Sequence, residues 1–332
     1  MKIPWVAFVL LYLSLFIYQE SIFPWNNGPS GDAATDEDHP DCQNIPYSTH
    51  DWIADHARAF LPQGERKWLD DNLKLYLLGT EAPDNNKIPD TCKAPNNGYD
   101  DRRRGHSVKW NDDFSKLVHD QASFRAKEEY LKVVRSINKG KLSYAAFYAG
   151  AMAHYIGDVS QYGHSVDFEV HHSDYERLIG SKTESFEVVF FKKYLTLDGL
   201  SEEDPYNAVV IVSLTTARGE GNIKSAAWMD SHYNKRNQQY WDSVGESLNN
   251  AVNLLADVLH NVYVKHKKLI NNPHSAGEVE PVIYIVRSKD TLGSISKKLY
   301  GDGRRWRVIL SSNRDKIADP KNLRVGTVLV IP

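Results

Sequence analysis

The chain has 332 residues, of which 41% are hydrophobic and 25% charged. That length predicts two domains with ample core. A formal net charge of −3 excludes a general electrostatic affinity for nucleic acid or anionic membrane.

The N-terminus carries one positive charge, Lys2, before an apolar run over residues 5–18. This reads as a signal peptide core. It is short for a span of ~20 residues, although residues 21–25 extend it towards an interface. Residues 1–25 are therefore expected to be a signal peptide or membrane anchor, and the protein to be exported, extracellular or anchored facing outside. Residues 26–45, rich in Gly, Asn, Asp and Pro, read as a flexible tether. The two cysteines, Cys42 and Cys92, predict one disulfide in an exported chain.

His50 lies at the start of a helical stretch that Ser48 or Thr49 can cap. Asp84 follows Pro83 in an expected loop over residues 79–84, and His106 follows the basic turn Arg102, Arg103 and Arg104. Singly, a loop His or Asp is most often a solvated side chain. Residues 144–153, YAAFYAGAMA, form an uncharged run of small and aromatic residues, expected to be a buried helix. Polar side chains leaving its C-terminal end need partners.

His154 and Asp158 are four apart, as are His172 and Glu176, and His164 lies between the pairs. Residues four apart on a helix share a face. An imidazole and a carboxylate so placed can reach one cation, with the nitrogen and oxygen ligands zinc prefers. Asp158 has two oxygens and can bridge two ions, as in multi-metal hydrolases. One such pair is commonly a solvated face; two pairs with a third histidine favour a metal centre.

In order, His50, Asp84, His106, His154, Asp158, His164, His172 and Glu176 follow a pattern that resembles the zinc-dependent phospholipases C. These share a mostly helical fold with the S1/P1 nucleases. The segments STHDWI, HYIGDVSQYGH and HHSDYE carry the resemblance, which covers roughly residues 46–266. Glu176 as the last ligand is phospholipase-like, since the nucleases usually carry Asp there. The resemblance implies zinc, two to three ions. Asp84, His106, His154 and Asp158 would hold the first. His164, His172 and Glu176 would hold the second, and His50 with the bridging Asp158 the third. Asp84 and Asp158 are the catalytic carboxylates, Asp84 orienting or deprotonating the attacking water. Charge gathering on the phosphodiester in the transition state is what several zinc ions would stabilise.

The chain departs from the family in three places. Secreted members begin with a Trp that completes the third site, whereas the nearest upstream Trp here is Trp25. A backbone carbonyl, His39, Asp41 or Asp51 substitutes, or that site is weak or empty. Choline-hydrolysing members place aromatic residues where this chain has Asn85 and Arg103, and cation–π capture of a quaternary ammonium needs those rings. Asn85 and Arg103 are thus the candidate substrate-binding residues. The three arginines are either a solvated loop or a clamp for an anionic phosphodiester.

Residues 185–266 read as helical, with a core-packing helix over 243–263. His232 and His260 are expected to be structural. Residues 269–281 read as a linker. The segment 282–332 has a β-α-α-β pattern: a strand at Ile283, a helix capped by Asp290 or Thr291, a second helix from Trp306, and a closing strand to Ile331. It resembles a LysM module through Tyr284, Val286, Leu292, Ile295, Tyr300, Trp306, Ile309, Asn313, Leu323 and Leu329. Such modules bind glycans containing N-acetylglucosamine.

The expectation is a mostly α protein: a phospholipase C/P1 nuclease-like domain over residues 46–268 joined to a small LysM module. It would hydrolyse a phospholipid or other phosphodiester and be targeted to cell-wall glycan. A monomer is expected, with no specific nucleic acid partner unless the enzyme is a nuclease. The alternatives are an S1/P1-like nuclease and a LysM-containing binding protein with impaired turnover.

Overall fold

The computed structural model describes residues 47–85, 88, 90–96, 98–99, 105–273, 283–287, 289–300, 302–314, 316–317 and 319–331. The candidate signal peptide or anchor, the tether, Cys42, Arg102, Arg103, Arg104 and most of the linker lie outside them. Among the described residues, no helix is long and apolar enough to cross a membrane.

The mostly α expectation is met. The larger domain contains α1 (Thr49–Phe60), α2 (Gln63–Asp70), α3 (Leu73–Glu81), α4 (Gln121–Asn138), α5 (Leu142–Asp158), α6 (His172–Gly180), α7 (Pro205–Arg218), α8 (Ala226–His232) and α9 (Gln238–Asn271). A short antiparallel pair, β1 (Lys109–Trp110) and β2 (Leu117–His119), precedes α4; its few residues gave no alternation to read in advance. Ser48 caps α1 in a reciprocal box: its Oγ accepts from Asp51 N, and the Asp51 carboxylate accepts from Ser48 N. Both groups satisfy amides that helix formation leaves orphaned.

The centre is α5, buried along nearly its whole length from Ala145 to Asp158. It packs most extensively on α3 and α4. Glycine sets the α3–α5 approach. A Cβ at Gly79 would fall 2.0 Å from the Phe147 carbonyl oxygen, and one at Gly150 1.9 Å from that of Tyr76. Backbone sits against backbone there, a contact no other residue tolerates. The small run read from sequence is therefore a close-packing surface, and it brings the end of α3 beside the end of α5. Helix α9 spans 34 residues and lines the same core with Leu248, Leu255, Leu259 and Val262.

Three boundaries differ from expectation. Residues 185–204 are not helical apart from the single turn Lys192–Tyr194; helix α7 begins only at Pro205, capped by Asp204. Residues 79–81 belong to the end of α3, so the loop carrying Asp84 begins at Ala82. Helix α9 continues to Asn271, into the expected linker. His232 and His260 are structural as expected: the first stacks on Trp228 and the second meets Glu65 at 2.6 Å.

The C-terminal module is β3 (Ile283–Ile285), α10 (Leu292–Tyr300), α11 (Trp306–Ser311) and β4 (Val328–Val330). The strands pair antiparallel, Ile283 with Val330 and Ile285 with Val328. Tyr284, Val286, Leu292, Ile295, Ile309 and Leu329 form a separate small core. Asn313 is buried and bridges α11 to β4: Nδ2 donates to the Ile309 and Val330 carbonyls while Oδ1 accepts from Val330 N.

Candidate metal centre

Five segments converge at one end of α5. His50 comes from the first turn of α1, and Asp84 from the turn after α3. His106 precedes β1; His154 and Asp158 form the last turn of α5. His164 ends a single-turn helix, Tyr162–His164, and His172 and Glu176 open α6. All eight expected ligands are thus brought together. Their ligand atoms form three groups, each within 4.8 Å: His50, Asp84 and His154; His106, His154 and Asp158; His164, His172 and Glu176.

Asp158 divides its two oxygens. Oδ2 lies 2.8 Å from His106 Nδ1 and 3.2 Å from His154 Nε2; Oδ1 lies 3.4 Å from His50 Nε2 and 3.9 Å from His164 Nε2. Asp84 Oδ1 stands 3.5 Å from His106 Nε2 and 3.7 Å from His154 Nε2. In the outer group, Glu176 Oε1 is 3.0 Å from His172 Nε2 and 3.3 Å from His164 Nε2.

Hydrogen bonds behind the site fix which ring atoms face inwards. His154 Nδ1 is 2.7 Å from the Thr80 carbonyl oxygen. A carbonyl can only accept, so Nδ1 carries a proton and Nε2 is the ring atom turned towards Asp84 and Asp158. His172 Nδ1 donates likewise to Glu169 Oε1 at 3.0 Å. Carboxylate oxygens and imidazole nitrogens converge in a buried space, where the carboxylate charge needs protons or a cation among the donors. The donors are imidazole nitrogen and carboxylate oxygen, a set that suits zinc. The residues therefore fit the metal, and the partners behind them are the kind that orient metal-bound histidines.

The electrostatics follow from this packing. Burial, with His154 beside it, holds His50 well below an ordinary imidazole. Burial alone would raise Asp158, but His154, His106 and His164 override it and keep the carboxyl well below the usual range. Burial raises Asp84 despite His154 and His106. Burial also opposes charge on His172 and Glu176, yet their mutual hydrogen bond and those to Glu169 and His164 bring His172 up to about 10 and Glu176 down to about 2.

Glycines make room for the rings. A Cβ at Gly157 would lie 2.9 Å from His50 Nδ1, and one at Gly163 2.3 Å from His172 Nδ1. Asp51 does not join the donors: its carboxylate accepts from Ser48 N and from Thr80 Oγ1 at 2.7 Å. His39 and Asp41 lie outside the described residues, as does Arg103. Asn85 is buried, with Nδ2 donating to the Glu81 carbonyl at 2.8 Å. Sequence reasoning missed Glu169, Thr80 and Gln161, whose Nε2 donates to Glu176 Oε1 at 3.2 Å. Glu169 had a signal, since it stands three residues before His172; the Thr80 carbonyl had none.

This donor geometry agrees with the comparison with protein families. Residues 49–201 match the zinc dependent phospholipase C family. Residues 284–332 match the LysM domain. All eight donors fall within the phospholipase C match, whereas α7, α8 and α9 lie beyond it. A comparison with curated proteins gave no match. Among solved structures, alpha toxin from Clostridium absonum is 17% identical with a TM-score of 0.42, over 68% of this chain and 64% of that one. The chain thus spans less than two thirds of that toxin's length. The alpha-toxin of Clostridium perfringens isolated from avian strain SWCP is 16% identical with a TM-score of 0.43, over 74% and 70%.

Proposed function

We propose that the protein is an exported zinc-dependent phosphodiesterase of the phospholipase C type, carried to cell-wall glycan by its LysM module. The observation that carries this reading is Asp158, whose two oxygens face two sets of imidazoles inside a match to a zinc enzyme family. Asp84, His106, His154 and Asp158 would hold one zinc ion, and His164, His172 and Glu176 a second. His50, with Asp158 Oδ1, would contribute to a third. When bound, such ions supply electrostatic stabilisation to a phosphoryl group and lower the pKa of water.

The protein's own groups divide the remaining work. Asp158 and Glu176 are each surrounded by imidazoles and act as holders. Asp84 is less enclosed, its side chain 15% exposed against 4% for Asp158, and its carboxylate can accept a proton from water. Water would attack phosphorus, giving its proton to Asp84. The bond between phosphorus and the leaving oxygen breaks, the leaving alkoxide takes a proton from solvent water, and Asp84 returns its proton to solvent. The aromatic grip on choline is absent, because Asn85 and Arg103 occupy those places. An anionic phosphodiester is therefore the preferred substrate, with Arg103 as its clamp.

Purified protein should contain two to three zinc ions and hydrolyse an anionic phospholipid analogue faster than phosphatidylcholine or nucleic acid. Preference for single-stranded nucleic acid would replace this reading with the nuclease one. Zinc content without turnover on any phosphodiester would favour a binding protein. Export also implies a Cys42–Cys92 disulfide. No described cysteine is free, and Cys92 has only Cys42 as a possible partner within the chain. Peptide mapping of protein exported by its own leader should find the bridge; two free thiols would remove it.

A further inference from the structure

The phospholipase C-like domain and the LysM module touch along α4. Leu131 of α4 packs against the module's core as well as its own. Arg305, at the turn between α10 and α11, sets Nε 2.5 Å from Glu128 Oε1, and both side chains are largely covered. Arg304 reaches Asp120 at 3.8 Å. A cavity of about 360 Å³ lies beside this contact, walled by Gly105 and Gln121 on one side and by Arg304 and Arg305 on the other.

The contact continues inwards. Glu128 also pairs with Arg125. Arg125 Nη2 donates to the Tyr155 hydroxyl at 3.0 Å, and its Nε does so at 3.2 Å. The Tyr155 ring then stands edge-on to His154, centroids 5.4 Å apart, and tilted against His106 at 5.6 Å. A second path runs through the loop itself: Gly105 N, next to His106, donates to Gln121 Oε1 at 3.0 Å. An ion pair shielded from water is screened less than a surface one. The hydroxyl end of the Tyr155 ring is thereby tied to α4, while its body lies against two histidines of the metal centre.

We propose that Arg305 is a positioning residue for the metal centre. Through Glu128 and Arg125 it fixes Tyr155 behind His106 and His154, so the LysM module is a brace for the hydrolytic domain as well as a glycan-binding appendage. The docking half stands on the contacts alone. The positioning half rests on the metal-site reading above. Neither the LysM resemblance nor the phospholipase C resemblance assigns these residues a role.

The test uses the full chain and three variants: Arg305→Glu, which opposes Glu128; Arg305→Lys, which keeps the charge; and Glu128→Gln. Hydrogen exchange over α4 and residues 302–306 reads docking. Competition for zinc with a chromophoric chelator reads positioning. In Arg305→Glu, both peptides should exchange about 10-fold faster, and zinc affinity at the tightest site should fall about 3- to 10-fold. Glu128→Gln should behave similarly, and Arg305→Lys should restore most of both. Unchanged exchange in a folded Arg305→Glu protein overturns the docking. Faster exchange with unaltered zinc affinity overturns the positioning role while leaving the metal centre intact. If the wild type binds no zinc at all, the metal-site reading has failed, and the exchange result still decides the docking.

Discussion

The inner and outer halves of the metal centre use the same residue types in different settings. In the inner half, His154 is fully buried and the Asp158 side chain is 4% exposed, with the three imidazoles of His50, His106 and His154 around one carboxylate. In the outer half, His172 is 34% exposed, and Glu176 serves only two. Deep burial commits the inner donors to one arrangement, because no water can replace a missing partner. Partial exposure leaves the outer donors exchangeable. The inner half should therefore be the tight and indispensable site, and the outer half the ion that comes and goes.

The largest effect should come from Asp158→Asn. It removes the carboxylate charge shared by both inner groups, and hydrolysis should fall at least about 1,000-fold, equivalent to ~4 kcal/mol. Normal turnover would break the comparison outright. His172→Ala should cost the outer ion and roughly 100-fold in rate, leaving the inner ions bound; metal analysis after gel filtration would tell the two losses apart. Equal loss of all ions would mean that the halves are one unit.

Smaller effects sharpen the contrast. Arg103→Phe should move the ratio of choline to anionic substrates by about 10-fold towards choline, the scale of one charge-assisted hydrogen bond. An unchanged ratio would make those arginines a solvated loop. Gly157→Ala would press a methyl onto His50 Nδ1 at 2.9 Å. The expectation is metal binding at the His50 group weakened about 10-fold, with His172 untouched.

The smallest effect is a pH dependence in metal-stripped protein. His172 is raised to about 10, so its contribution to stability is complete below the ordinary imidazole value and lost as pH rises through about 10. Glu176 is lowered to about 2, so its share is present above the ordinary carboxylate value and lost as pH falls through about 2. The gap in urea midpoint between wild type and His172→Ala should narrow on raising pH from 6 to 10. A gap that widens would contradict the pairing.

Much of the inner half was legible in the sequence. His154 and Asp158 are one helical turn apart on a run without charge, and that spacing alone puts both on one face. The outer pair was legible for the same reason. Bringing His50, Asp84 and His106 to them was not, because no local pattern encodes contacts from three other segments; only the ordered resemblance joined them. The Gly79–Gly150 contact that carries Asp84 to α5 has no periodicity to read, since a close approach leaves just two small residues in the sequence. Residues 185–204 misled in the other direction. They contain few Gly or Pro breaks, yet they run as a strap held by α9: Asn249 Oδ1 accepts from Thr196 N, Asn253 Oδ1 from Asp198 N, and Asp257 Oδ1 from Ser201 N. The C-terminal module was readable almost residue by residue, because its strands and helices are short, locally capped and separately cored.

The most direct test is anomalous diffraction at the zinc edge from crystals of the full chain grown with zinc. Peaks are expected on either side of the Asp158 carboxylate, one towards His106 and His154 and one towards His50, with a further peak among His164, His172 and Glu176. Zinc confined to the outer group, or ions bound away from Asp158, would contradict the shared-carboxylate centre on which the functional reading stands.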